Sequence, residues 1–243
     1  MRLTFLGTGA SGGTPGAGRS ARRESSLLVE GRTRLLIDVT RHFVEQSVNV
    51  PDLDGVLLTH AHRDAAGGIA ALRRWWMART RGPLRVFASP QTIAVLRERF
   101  RRLDGFELIE VDDGEQHRIG DVTAGATEVP HAGQSRFRTY AWRLREHTSS
   151  IVYASDVGRL EPPLRRFSDD ADILVIDGAM WRRSLFAHLT IDQELPKLCA
   201  WSVRRILLTQ IGRTAPPHEA FEREVASLCP RAAPAWDGLV IDV

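Results

Sequence analysis

Leu57-Leu58-Thr59-His60-Ala61-His62-Arg63-Asp64-Ala65-Ala66-Gly67-Gly68 decides how the rest of this chain is read. Val56-Leu57-Leu58 is an apolar run of the kind that forms a buried strand, and the pattern from Asp64 onward is helical, so His60 and His62 fall on the turn between them. Imidazoles two positions apart on an extended turn can point the same way and share one cation. A carboxylate two residues further on comes from the first helical turn. The plainer alternative makes both histidines ordinary turn residues and Asp64 a helix N-cap, a position that Asp favours. Short motifs of this kind also arise by chance, so the rest of the chain has to decide.

Strand-like runs recur near residues 3–6, 26–30, 34–39, 55–59, 84–88, 106–111, 122–129, 139–145, 151–154, 173–176, 205–209 and 238–243. Helical patterns lie between many of them, most clearly from Ala66 to Thr80, Pro90 to Leu103, Ile191 to Trp201 and Pro217 to Leu228. Alternating strands and helices with hairpin-like pairs predict an α/β sandwich with mixed sheets. With 243 residues, 43% of them hydrophobic, and neither a repeat nor a linker, one domain over 1–243 is expected. No apolar stretch approaches a membrane span and the chain enters a strand pattern without a leader, which predicts a cytoplasmic protein that does not engage membranes. Cys199 and Cys229 lie far apart in helical contexts, and buried free thiols are the expectation. Lys197 is the only lysine and the formal net charge is +3, a modest excess that supports a small anionic partner and disfavours nucleic acid.

With these residues in view, the chain resembles the metallo-β-lactamase superfamily, whose pattern after a hydrophobic strand is T-H-x-H-x-D-H. The resemblance runs nearly end to end: the opening Leu3 to Ser11, then Ser25 to Val29 and Leu35 to Asp38, and later Val129-Pro130-His131-Ala132-Gly133 and Tyr153-Ala154-Ser155-Asp156. It implies a four-layer αββα sandwich. Within the superfamily, the opening and His188-Leu189-Thr190-Ile191 are most similar to the phosphoribosyl cyclic phosphate phosphodiesterases. The cysteine cluster that many relatives use for a structural zinc is missing from Ser11 to Arg22.

The resemblance implies a first metal set of His60, His62, His131 and Asp156. Three imidazoles and a carboxylate suit zinc or manganese, with iron as a third choice. The second set departs from the family twice, because Ala65 stands where a histidine is expected and Gln210 stands where another is. One divalent cation is therefore expected. Asp64 is left for a hydrogen bond to a metal-bound water or to a ligand imidazole, with the plain cap as its alternative. His188 matches the family's leaving-group acid. His218, on a first helical turn, is read as exposed, with ligation as the alternative, and His42, His117 and His147 as surface residues.

The glycine-rich loop from Gly7 to Gly18 has no Walker lysine and no helix pattern after it, which disfavours a nucleotide loop; it is read as a mobile loop at the site mouth carrying Arg19, Arg22 or Arg23 toward substrate, with a plain surface loop as the alternative. Arg23, Arg73 and Gln210 are the substrate-binding candidates. Arg97, Arg99, Arg101 and Arg102 are read as a solvated helix face. Of the adjacent Trp75 and Trp76, at least one is core. The expected reaction is hydrolysis of a small phosphodiester, cyclic or open, in a chain that can also form a homodimer. The alternatives are thiol or persulfide oxidation on a single iron, and a non-catalytic ligand-binding member of the fold.

Overall fold

A computed structural model describes residues 1–79, 82–132 and 136–243, with the side chain of residue 49 outside the description. The expected helix end at Thr80 and the Gly133 of the His131 motif therefore lie outside the described residues. In chain order the elements are β1 (Arg2–Gly7), β2 (Ser26–Glu30), β3 (Arg34–Ile37), α1 (Phe43–Gln46), β4 (Gly55–Leu57), α2 (Arg63–Ala66), α3 (Ile69–Met77), β5 (Leu84–Ala88), α4 (Pro90–Arg99), β6 (Phe106–Glu110) and β7 (Gln116–Ile119). There follow β8 (Val122–Val129), β9 (Thr139–Glu146), β10 (Ser149–Ala154), α5 (Pro162–Ser168), β11 (Ile173–Asp177), α6 (Ile191–Leu198), β12 (Arg205–Thr209), α7 (His218–Leu228), β13 (Ala232–Pro234) and β14 (Val240–Asp242). One sheet runs β14-β1-β2-β3-β4-β5-β6 and the other β13-β12-β11-β10-β9-β8-β7.

Period-2 patterning sorts the layers. Leu27, Val29, Leu35 and Ile37 of the first sheet meet Tyr140, Trp142, Ile151 and Tyr153 of the second in a shared central core. Their alternates Leu28, Leu36 and Val56 pack under α1, α3 and α4. On the far side Val152, Leu174 and Ile206 pack under α5, α6 and α7. The result is the expected αββα sandwich with mixed sheets. β3 to β6 are parallel, as are β10 to β13. The C-terminal ends of these strands therefore gather along one edge, where α/β sheets present their ligands.

Two bonds fix the motif strand against the opposite sheet at that edge. Tyr140 N donates to Thr59 O at 2.9 Å, and Trp142 Nε1 donates to Leu58 O at 3.1 Å. Beyond the motif, the single helix expected from Ala66 is broken into α2 and α3 at Gly67-Gly68. A Cβ on Gly68 would stand 2.0 Å from Thr40 O, so only glycine lets the chain press there, and Gly68 N donates to Val39 O. This keeps α2 to one turn and pins Asp64 against the site. β7 and β13 are short strands that the sequence pattern does not reveal.

Cys199 and Cys229 form a disulfide, which corrects the expectation of free thiols. Each is the residue that ends a helix, α6 and α7 respectively, and the two helices pack side by side, bringing the Cα atoms to 5.6 Å. Sequence distance hid this proximity. The bond also removes the thiol argument for a reducing compartment. Among the described residues no helix is long and apolar enough to cross a membrane.

Candidate metal centre

His60 follows β4, His131 follows β8, Asp156 follows β10, Asp177 closes β11 and Gln210 follows β12, so one strand edge delivers them all. The ligand atoms of His60, His62 and His131 lie within 4.8 Å of one another, and those of His131, Asp156 and His188 do likewise. The first metal set is thus brought together. His188 joins it.

Hydrogen bonds aim the His131 and His60 rings. His131 Nδ1 donates to Ala187 O at 2.7 Å, which leaves its Nε2 lone pair directed at the cluster, 3.3 Å from His62 Nδ1 and 3.8 Å from Asp156 Oδ1. Thr59 Oγ1 bonds the buried Asp38 carboxylate at 2.9 and 3.0 Å and lies 2.9 Å from His60 Nδ1. With the hydroxyl proton on Asp38, Thr59 accepts from His60 Nδ1–H, and the lone pair of His60 rests on Nε2. That Nε2 is buried and, among the described residues, has no hydrogen-bond partner. Burial, against the pull of Asp156, lowers the His60 pKa to about 3 and keeps the ring neutral, the state a ligand requires. A fully buried, neutral, unpartnered imidazole facing two others and a carboxylate fits a divalent cation.

The second set is filled differently. Ala65 is buried and offers no donor. The Gln210 amide nitrogen donates to Asp64 Oδ2 at 3.1 Å and to Asp156 Oδ1 at 2.9 Å. A neutral NH2 group bridges the two carboxylates. Burial first, then the neighbouring Asp156 charge, raises the Asp64 pKa to about 6. Burial acts the same way on Asp156, but His60, His131 and His188 outweigh it and hold it at about 2. The plain cap reading of Asp64 does not hold, since His62 occupies the N-cap position and the Asp64 side chain turns inward to Gln210.

His188 lies at the base of a turn in which its N–H donates to Leu185 O, and Gly158 lets this turn settle against the His131 loop, since a Cβ there would stand 2.7 Å from Phe186 O. His188 Nδ1 donates to Asp177 Oδ2 at 2.7 Å. Burial works against the charged ring, but Asp177, with Asp156 and Asp64 behind it, raises its pKa to about 9. Asp177 is fully buried and also accepts from Val157 N and Ala179 N at 2.9 and 2.8 Å. Sequence reading missed the roles of Asp177 and Asp38. Both are carboxylates placed where an apolar strand ends, the same signal that marked Asp156.

The arginine expectations need correction. Arg73 pairs with Asp104, its Nε donating to Asp104 O at 2.9 Å, between α3 and β6 and away from the ligands. Arg23 has its N–H on Asp237 Oδ2 at 2.7 Å and its guanidinium 3.6 Å from the same oxygen. Gln210 is buried and committed to the two carboxylates rather than to a substrate. Arg99, read as part of a solvated face, instead donates to Ala61 O at 2.7 Å inside the motif; its charge lowers the His62 pKa, and its own is lowered by burial and then by the charges of Arg63 and Arg136. The glycine-rich loop folds back on itself through the Thr14–Arg22 bridge, with Arg22 buried and Arg19 over Trp236. His218 is buried against Arg22, not exposed. His42 and His117 are half-buried, and His147 alone of that group is exposed. Trp76 is core and Trp75 half-buried, as the helix pattern required.

Residues 33–211 match the family described as the beta-lactamase superfamily domain, and the chain belongs to that family, the metallo-β-lactamase superfamily. Among curated proteins it is similar to an octanoyltransferase of Porphyromonas gingivalis, 25% identical over 98% of this chain and 51% of that protein. It is also similar to a ribonuclease Z of Methanopyrus kandleri, 34% identical over 53% of this chain and 46% of that one. The chain spans about half the length of these curated relatives. Among solved structures, a diphosphatase from the PhnP family superposes with a TM-score of 0.87 at 24% identity, over 99% of this chain and 97% of the other.

Proposed function

We propose that this protein is a metal-dependent hydrolase that cleaves a phosphodiester in a small anionic molecule and works with one divalent cation. The observation that carries this reading is the pairing of an intact His60, His62, His131 and Asp156 set with a Gln210 amide between Asp64 and Asp156, where a second cation would otherwise balance the two carboxylates. A zinc or manganese ion in the first set supplies an activated water and a Lewis acid for a phosphoryl oxygen. His60 and His131 arrive pre-oriented by Thr59 and Ala187, so little reorganisation accompanies binding. His188, held protonated by Asp177 with Nε2 turned to the cluster, is placed to give its proton to the departing alkoxide. Arg63 and Arg99, beside His62, replace Arg23 and Arg73 as the residues that receive the substrate's charge.

The relatives named as a ribonuclease and a diphosphatase support chemistry at phosphorus, and the similarity of the opening and of His188 to phosphoribosyl cyclic phosphodiesterases supports a cyclic substrate. The octanoyltransferase name belongs to a protein twice as long and does not transfer. The test is metal content per chain together with hydrolysis of bis(4-nitrophenyl) phosphate. One equivalent, activity, and loss of both in His60→Ala are expected. Two equivalents would overturn the single-cation reading, and iron with oxygen uptake in place of hydrolysis would overturn the reaction.

A further inference from the structure

Arg22 carries a charge that the metal centre does not use. It is 6% exposed, and among the described residues it has no ion pair. Nη1 donates to Thr8 Oγ1 at 2.7 Å and to Ala235 O, and Nη2 donates to His218 Nδ1 at 3.0 Å. All three acceptors are neutral groups, since burial and the Arg22 charge both lower the His218 pKa. The nearest carboxylate is one bond removed: Thr8 Oγ1 donates to Asp237 Oδ1 at 2.9 Å, and the other Asp237 oxygen is taken by Arg23. Arg19 stacks on the neighbouring Trp236, 4.2 Å from its ring centre. Arg22 and Arg23 thus share Asp237, whose charge reaches Arg22 without a direct ion pair, and burial still outweighs it and lowers the Arg22 pKa to about 10; a buried cation paired only at a distance is unfavourable.

Beside Arg22 is a cavity of about 560 Å³, within the range of small-molecule sites. Thr14, whose hydroxyl donates to Ile211 O at 2.7 Å, and Ser20, whose hydroxyl accepts from His218 N at 2.9 Å, line its wall, Ile211 and Gly212 form another side, and Arg213, exposed and without an ion pair among the described residues, stands at its rim. Glu219, also exposed, is the one carboxylate on the lining. No metal-set residue lines it.

We propose that this cavity is a binding site for a small phosphate monoester, anchored by Arg22 and Arg213 and separate from the metal centre. An anionic oxygen there supplies Arg22 with a direct counter-charge, and the partly apolar wall accommodates a compact sugar-sized body. Ile211 and Gly212 directly follow Gln210, so an occupant presses on the segment whose amide bridges Asp64 and Asp156. The phosphate comes either from a distal group of the substrate or from a separate effector.

Ribose 5-phosphate, with ribose as the neutral control, is titrated calorimetrically into metal-loaded protein and into protein held in chelator. Saturable binding of the phosphate in both states, and none of ribose, is expected. Arg213→Ala weakens it at least fivefold and Ala215→Trp, which fills the cavity, removes it. These two variants carry the test because Arg22 also ties three chain segments together. Competitive inhibition of phosphodiester hydrolysis identifies a distal substrate group, and a change in kcat at constant KM identifies an effector; each supports the site. No binding to the wild-type protein, binding only when metal is loaded, or binding unchanged in both variants overturns it. Because the chelator arm needs no catalysis, this outcome is independent of the hydrolase reading.

Discussion

Gln210→Glu separates a bridging amide from a metal ligand more sharply than any other substitution, because it keeps the shape of the side chain and the positive φ of 56° at this residue while replacing a donor by an acceptor. Two hydrogen bonds to buried carboxylates are lost, and a bond to a charged partner contributes about 1.5–3 kcal/mol, so the chelated variant is expected to lose about 3–6 kcal/mol at pH 8. A third carboxylate then faces Asp64 and Asp156, and a cation becomes their natural counter-charge. Denaturant unfolding at pH 8 in chelator, repeated with manganese or zinc, measures both effects. The variant should regain more stability on metal addition than the wild type does, and should bind one more equivalent. The pH dependence has a definite sign. The Asp64 carboxyl titrates near 6 when folded, above its ordinary value, so a proton is bound more tightly in the folded state and stability rises as pH falls from above 6 toward 4. The penalty in Gln210→Glu should therefore shrink in acid. Equal stability of variant and wild type in chelator at pH 8, with unchanged metal stoichiometry, would refute the bridging role.

Asp177→Asn removes the charge that holds the His188 ring protonated, so the imidazole pKa, followed by NMR in metal-free protein, should fall from about 9 to below its ordinary value. In the wild type that raised pKa contributes stability that is complete below about pH 6.5 and lost as pH rises through about 9; the variant should lose this dependence. Reduction of Cys199–Cys229, which closes a separation of 30 residues, should cost about 3–4 kcal/mol of unfolding free energy by loop entropy, read as a lower denaturation midpoint with reductant. Arg73→Ala, whose side chain meets Asp104 rather than the ligands, should leave kcat and KM unchanged, whereas Arg99→Ala should raise KM; a kinetic defect in the first would return Arg73 to the site.

Much of this was legible because the signals are local. Apolar alternation marked most of the strands, and a histidine pair between a buried run and a helical pattern marked the metal centre. Carboxylates at strand ends were the weaker signal: Asp156 was found through its motif, and Asp177 and Asp38 were passed over, though each ends an apolar run in the same way. Arginine was the least legible residue. A guanidinium reaches far from its Cα and takes whatever acceptor the fold brings near, so Arg73, Arg23 and Arg99 each found a partner that no spacing could name.

By itself, then, the sequence determined the mixed-sheet α/β class and the histidine-bearing turn, and its resemblance to a known family added the four-layer order and the two missing donors at Ala65 and Gln210. Tertiary structure alone decided that the Gln210 amide spans Asp64 and Asp156, 146 and 54 residues away, that Cys199 meets Cys229, and that Arg22 lies buried against His218, 196 residues distant. Periodicity encodes which face of an element is buried. It does not encode which strand ends share an edge, and these contacts depend on that edge.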